Sequence, residues 1–183
     1  MNNIYPNNIN RTIFFSKDKS RYSSLENKAI DTCRNLISPK YIHTVFNRFN
    51  KGYMYKDDNG EIIGFCLWKE YNKITKSGNE SKQLHILLIC ADYNDYNLGR
   101  KILYDMDGYC IDNKISSIIL EAANDTLVKY YEKSGFVLLN KLTREMYKKV
   151  KILTIYKNKS SSKTRKIKRQ SIQPKDYELE ESF

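Results

Sequence analysis

Two side chains in the middle of the chain have the chemistry to accept a proton. His85 lies in the apolar run LHILLICA, residues 84–91, and imidazole is the side chain that titrates closest to neutral pH. Glu121 lies near the end of a second apolar run, ISSIILEAA, and its carboxylate can act as a base, directly or through water. No motif marks either residue. His85 therefore also fits an ordinary strand residue, and Glu121 also fits a helix cap.

A turn with a single glycine joins the first apolar run to a helical pattern. The turn DYNDYNLGR spans residues 92–100 and contains Gly99. A strand that leads into a helix start places free backbone N–H groups at the positive end of the helix dipole, where phosphates bind. The turn from Asp95 to Lys101 is therefore a candidate phosphate site, with charge added by Arg100 and Lys101. Taken alone, Gly99 is more typical of an ordinary turn.

The segments before this turn predict one strand, two helices and three antiparallel strands. A short strand is expected at 12–16, and apolar residues recur at helical spacing over 24–37 and 39–49. The runs at 52–56 and 61–69 flank a DDNG turn, which is typical of a hairpin. A further strand is expected at 82–90, and Trp68, the only tryptophan, is expected in the core.

The segments after the turn alternate between helix and strand. Helices are expected at 98–110 and 124–134, and strands at 117–120, 136–142 and 145–155. A helix that crosses between two strands implies that they pair in parallel. The sequence therefore predicts an α/β fold with a mixed sheet of about seven strands, mostly antiparallel around a central parallel pair, and about four helices.

Charge and composition predict one domain followed by a polar tail. The net charge is +11, and residues 157–175 hold eight Lys/Arg and no acidic residue, whereas residues 176–183 are acidic. Neither part of the tail has a periodic apolar face. We therefore expect a domain at 1–156 and a disordered tail at 157–183. The basic segment, which contains KTRKIKR, is a candidate for weak contact with nucleic acid or an acidic partner and for a nuclear localisation signal.

The cysteines and the hydropathy pattern predict an intracellular protein. Cys33, Cys66, Cys90 and Cys110 are far apart without a C-x-x-C pair, so free thiols are expected. No apolar run reaches the roughly 18 residues needed to span a membrane, and the N-terminus has no secretory pattern. These features favour a cytoplasmic protein that does not contact membranes. The sequence leaves the oligomeric state open.

The segment after the second apolar run carries the most specific motif. Asn124 is followed by YYEKSGF, residues 130–136. Together with the order of strands and helices, this pattern resembles the GNAT superfamily of N-acetyltransferases over about residues 12–150. The resemblance implies a GNAT-like fold, acetyl-CoA as co-substrate and no metal. It also implies an amine acceptor.

The resemblance implies which residues hold acetyl-CoA. The first family motif, Q/R-x-x-G-x-G/A, falls on residues 94–99, where Gly99 matches and Asn94 and Asn97 replace the usual residues. Asn124 is implied to hold the amide arm, and one strand is implied to offer a free backbone edge. The implied cofactor contacts are Leu87, Leu88, Ile89, Asn94, Asp95, Tyr96, Asn97, Leu98, Gly99, Arg100, Lys101, Asn124 and Tyr131.

The resemblance also implies a direct transfer reaction. Tyr131 would donate a proton to the departing thiolate, with a phenol near its normal pKa. His85 and Glu121 are the candidates for the base, with His85 expected to share a strand face with Gln83 and Leu87. The alternatives are a binding protein that keeps the fold without efficient catalysis, and a nucleic-acid-associated protein that acts through 157–175. Tyr131 could also be an ordinary aromatic residue on a helix face.

Overall fold

A computed structural model of the chain describes residues 9–16, 23–33, 36–74, 78, 80–92 and 97–151. These residues form β1 (Asn10–Phe15), α1 (Ser23–Cys33), α2 (Pro39–Phe46), β2 (Lys51–Lys56), β3 (Ile62–Ile74), β4 (Glu80–Ala91), α3 (Leu98–Asp112), β5 (Ile115–Glu121), α4 (Asp125–Glu132), β6 (Val137–Asn140) and β7 (Glu145–Lys149). The predicted order of strands and helices is confirmed. The predicted tail and three turn residues, Asn94, Asp95 and Tyr96, lie outside the described residues.

All the described strands belong to one sheet. Their spatial order is β1-β2-β3-β4-β5-β7-β6. β4 and β5 pair in parallel, with α3 as the connection between them, and the other neighbouring strands are antiparallel. This arrangement confirms the predicted mixed sheet with a central parallel pair. Because parallel strands point the same way, the carboxyl ends of β4 and β5 lie at the same end of the sheet.

Helices cover both faces of the sheet. Apolar residues of α3 and α4 pack with one set of strand residues, which includes Trp68, Leu84 and Ile86. Residues of α1 and α2 pack on the other face with Phe65, Leu67, Leu88 and other strand residues. Trp68 is fully buried, which confirms its predicted place in the core. None of the helices in the described ranges is long and apolar enough to cross a membrane.

β4 separates from β5 halfway along its length. Their pairing runs from Lys82 to Ile86, whereas β4 continues to Ala91. At the same point Leu87 is an extra residue in the ladder, because Ile86 pairs with Trp68 and Leu88 pairs with Leu67. Such a bulge bends a strand and shifts its later side chains to the opposite face. Leu87 itself packs on the α1–α2 face, opposite Leu84 and Ile86, as the predicted alternation requires. The shift begins at Leu88, which packs on that same face.

A disulfide joins helix α1 to strand β4 of the sheet that it covers. Cys33 at the end of α1 and Cys90 at the end of β4 form a disulfide, with their Cα atoms 5.6 Å apart. The prediction of four free thiols is wrong for this pair. The residues are 57 positions apart in sequence, and only the packing of α1 on β4 brings them together. Cys66 and Cys110 are free and buried.

Candidate functional site

A groove opens where β4 leaves β5. A cavity of about 320 Å³ lies along the free edge of β4, next to the end of β5 and the first residues after it. A second cavity of about 220 Å³ extends toward Gly99 at the start of α3. The two cavities share five lining residues, which are Leu36, Ile37, Ile89, Leu127 and Tyr131. They therefore form neighbouring parts of one groove between the α1–α2 connection, the β4 edge and α4.

The free edge of β4 supplies the backbone groups of this groove. Leu87, Leu88 and Ile89 all line the larger cavity and lie beyond the last residue of β4 that pairs with β5. Their backbone groups on that side are not used by the β4–β5 ladder. The structure thus brings all three residues to the groove, with the backbone groups of Leu87 and Ile89 on its open side and those of Leu88 directed to Leu67 of β3.

Tyr131 of α4 lies at the junction of the two cavities. Its side chain is 8% exposed and packs beside the rings of Tyr130 and Phe136. Among the residues that the structure describes, none forms a hydrogen bond with its hydroxyl group. Burial raises the pKa of Tyr131 above its ordinary value, so the phenol is not near its normal pKa as expected. The phenol therefore remains protonated across the neutral range, which suits a proton donor.

The first turn of α3 forms the other end of the groove. A Cβ atom added to Gly99 would lie 2.7 Å from the hydroxyl oxygen of Tyr130, so only glycine allows this close approach. The Tyr130 hydroxyl is buried and has no hydrogen-bond partner among the described residues. Asn97 precedes the helix with φ −98°, a right-handed conformation that does not require glycine. Leu98 is buried, and its backbone belongs to this first turn.

The two basic residues of this turn have different positions. Lys101 Nζ lies 3.4 Å from Asp105 Oδ2, and Asp105 also pairs with Arg11 at 2.9 Å. Because Lys101 already forms an ion pair with Asp105, its ammonium group is less available to a phosphate than the sequence predicted. Arg100 is exposed, and its charge lowers the pKa of Tyr130, although burial raises that pKa more strongly. Arg100 is therefore the cation of this turn that lies beside the groove.

Asn124 has a structural role at the start of α4. Its Oδ1 atom accepts a hydrogen bond of 2.9 Å from the backbone N–H of Leu127. Asn124 is thus the helix cap, a role that the sequence also allowed for Glu121. The side-chain NH₂ group of Asn124 is the part that can donate to a ligand.

The two candidate bases lie on one face of the sheet but at different depths. Glu121 lines the larger cavity, whereas His85 is half-buried at its margin and is not among the lining residues. Burial lowers the pKa of His85, and the charge of Arg48 lowers it further, while Glu121 and Glu145 act in the opposite direction. Because the net effect is a lower pKa, His85 is mostly neutral at pH 7 and can accept a proton.

Three residues of this site carry no signal in the sequence. The Tyr41 hydroxyl donates a hydrogen bond of 3.1 Å to the backbone oxygen of Leu87, so α2 is attached to the bulge. Burial raises the pKa of Tyr41, and Glu121 raises it further. The charge of Arg48 lowers the pKa of both Tyr41 and His85, and the charge of Glu145 acts to raise the pKa of His85. The positions of these three residues depend on helix packing and strand register, which cannot be predicted from a local sequence motif.

Comparison with known proteins gives the family. The family model described as "Acetyltransferase (GNAT) domain" matches residues 22–149. No curated protein matches the chain. Among solved structures, the catalytic domain of Tetrahymena GCN5 histone acetyltransferase in complex with coenzyme A is 13% identical, with a TM-score of 0.61 over 84% of this chain and 100% of that chain.

Two further solved structures show the same fold. The GNAT family N-acetyltransferase YhbS from Escherichia coli in complex with CoA is 14% identical, with a TM-score of 0.54 over 80% of this chain and 85% of that chain. Arabidopsis thaliana NAA60 with a bisubstrate analogue is 16% identical, with a TM-score of 0.51 over 73% of this chain and 86% of that chain. Because the family model matches more than half of the sequence, this chain belongs to the GNAT acetyltransferase family.

Proposed function

We propose that the protein transfers an acetyl group from acetyl-CoA to a primary amine by direct attack of the amine. The observation that carries this proposal is the nine-tenths buried phenol of Tyr131, which lines a groove along the free edge of β4. The solved structures of GCN5 and YhbS hold coenzyme A, which supports an acyl-CoA in this groove.

The described residues fit acetyl-CoA along the groove. The backbone groups of Ile89 face the free edge and are available to the amide arm, whereas those of Leu88 pair with Leu67 of β3 and the Leu87 oxygen already accepts from Tyr41. The free N–H groups of the first turn of α3, with Arg100, suit the phosphates. The buried Tyr130 hydroxyl without a protein partner and the close approach at Gly99 also fit a ligand with acceptor oxygens there.

The side chains divide the proton transfers between them. When bound, acetyl-CoA supplies an activated acetyl thioester. Tyr131 is the proton donor for the departing sulfur, because burial keeps its phenol protonated. His85 or Glu121 accepts the proton that the amine loses, and the lowered pKa of His85 favours the neutral imidazole for this role.

The proposed function is tested by release of free thiol. The full chain with acetyl-CoA and a panel of primary amines is expected to release coenzyme A at a rate that depends on both substrates. The thiol is measured with a chromogenic disulfide reagent after the protein has been removed by ultrafiltration, so that Cys66 and Cys110 do not react with it. Rates equal to those of the protein-free blank for every amine would contradict the proposal.

A pH profile distinguishes the two candidate bases. Because burial lowers the pKa of His85 below its ordinary value of about 6.5, we expect kcat to fall only when the pH drops below that value. The measurement uses a weakly basic amine at saturation, so that protonation of the acceptor does not mask this fall in kcat, the acidic limb of the profile. His85→Gln is expected to remove this limb and to lower kcat by about 100-fold. An unchanged limb in His85→Gln would assign the base to another group.

A second candidate function is acyl-CoA binding without efficient transfer. It is favoured by Asn97 at a motif position that usually holds glycine, and by the pairing of Lys101 with Asp105. In that case titration with acetyl-CoA would give saturable heat, while no amine would release thiol above the blank.

A further inference from the structure

Two carboxylates lie opposite each other at the open end of the groove. Glu121, the last residue of β5, pairs with Glu145, the first residue of β7. The next backbone hydrogen bond, from Ala122 N–H to Arg144 O, is 3.1 Å long. It places Glu121 and Glu145 at a non-hydrogen-bonded position of the ladder, where side chains are closer together. Two like charges at such a position destabilise the sheet unless a cation lies near them.

The surrounding cations do not neutralise this carboxylate pair. Within the described ranges, neither Glu121 nor Glu145 takes part in an ion pair. Arg144, the neighbour of Glu145 in sequence, instead binds Asp125 with Nε 2.7 Å from Oδ1. The charge of Arg48 acts on Tyr41 and His85, but it forms no ion pair with either carboxylate.

A second observation points to a ligand at this place. Glu121 lines the same cavity as Tyr131, a residue that is 8% exposed and whose hydroxyl has no hydrogen-bond partner in the described part of the chain. Because Glu121 and Glu145 pair directly across the ladder, their side chains lie on the same face of the sheet, and both charges act to raise the pKa of His85. The carboxylate pair therefore borders the part of the groove where an acceptor amine would enter.

We infer that the acceptor is a small linear diamine, whose second ammonium group lies between Glu121 and Glu145 while its first nitrogen reacts. This inference rests on the proposed function and identifies its acceptor. The neutral first nitrogen forms a C–N bond with the thioester carbon, and the C–S bond breaks. The nitrogen loses one proton to the base, and the sulfur gains one from Tyr131. Because Glu121 holds the second ammonium, His85 is left as the base.

The test compares acceptors that differ only in the second charge. For chains of three to five carbons, each diamine is compared with the amino alcohol in which a hydroxyl replaces the second amine. We expect kcat/KM to be about ten times higher for the best diamine, which corresponds to about 1.4 kcal/mol. In Glu145→Gln this ratio is expected to fall below about two. In Glu80→Gln, which removes an exposed carboxylate at the opposite end of β4, it is expected to remain.

Direct binding separates this inference from the proposed function. Titration of 1,5-diaminopentane into the full chain saturated with coenzyme A is expected to give saturable heat, with a Kd about tenfold weaker in Glu145→Gln. This measurement is decisive even if no amine releases thiol. Absence of saturable diamine binding, or an equal Kd in the parent and in Glu145→Gln, would overturn the inference. Faster transfer to a Lys-Lys dipeptide than to any diamine would overturn the assignment to a small molecule.

Discussion

Replacement of Tyr131 by phenylalanine is expected to lower kcat by about 10²-fold to 10⁴-fold, the range for loss of a general acid. The change removes one oxygen and keeps the ring, which packs against Tyr130 and Phe136. Binding of acetyl-CoA is therefore expected to change by less than about threefold, because the groove keeps its shape. Initial rates of thiol release and calorimetry with acetyl-CoA measure the two effects separately.

A matched control distinguishes chemistry from general damage. Tyr104→Phe makes the same change on a side chain of α3 that is 77% exposed, and it is expected to leave kcat unaltered. Thermal unfolding of both variants verifies that the fold is intact. If Tyr131→Phe keeps more than half of the parental kcat, Tyr131 is not the proton donor.

Replacement of Gly99 by alanine is expected to weaken acetyl-CoA binding by about 10-fold to 100-fold. The new Cβ atom would lie 2.7 Å from the Tyr130 hydroxyl oxygen, so either the ring or the first turn of α3 must move. Overpacking of this kind costs about 1–3 kcal/mol, and here part of that cost falls on the N–H groups that suit the phosphates. Calorimetry with acetyl-CoA gives the change in Kd.

The clash at Gly99 can be relieved without restoring the glycine. Tyr130→Phe removes the oxygen, and the nearest remaining ring atom, Cζ, is 3.5 Å from the added Cβ, an ordinary contact. The double variant Gly99→Ala with Tyr130→Phe is therefore expected to bind acetyl-CoA more tightly than Gly99→Ala, with Tyr130→Phe alone as reference. Parental affinity in Gly99→Ala, or no recovery in the double variant, would remove Gly99 from the cofactor site.

The sequence predicted the parts of the fold that local patterns determine. Apolar periodicity gave the order of strands and helices, and the crossover helix implied the parallel pairing of β4 with β5. The YYEKSGF motif located Tyr131 on α4, beside the groove. The last strand is shorter than predicted. It was expected at 145–155, whereas β7 ends at Lys149 within the described residues.

The features that were missed depend on contacts between distant segments. The bulge at Leu87 is visible only from the pairing of β3 with β4, and the Cys33–Cys90 disulfide only from the packing of α1 on β4. Glu145 faces Glu121 because of the β5–β7 register. The ion pair between Lys101 and Asp105 was predictable from the sequence, because the two residues are four positions apart on one helix.

The most direct test of the account is identification of the products from acetyl-CoA and an amine. The full chain is incubated with both compounds, and the acetylated amine and free coenzyme A are quantified by mass spectrometry. We expect an amide that carries one acetyl group, formed in a one-to-one ratio with free coenzyme A, at a rate that Tyr131→Phe strongly lowers. Release of coenzyme A without acetylated amine, or at the same rate in Tyr131→Phe, would contradict it.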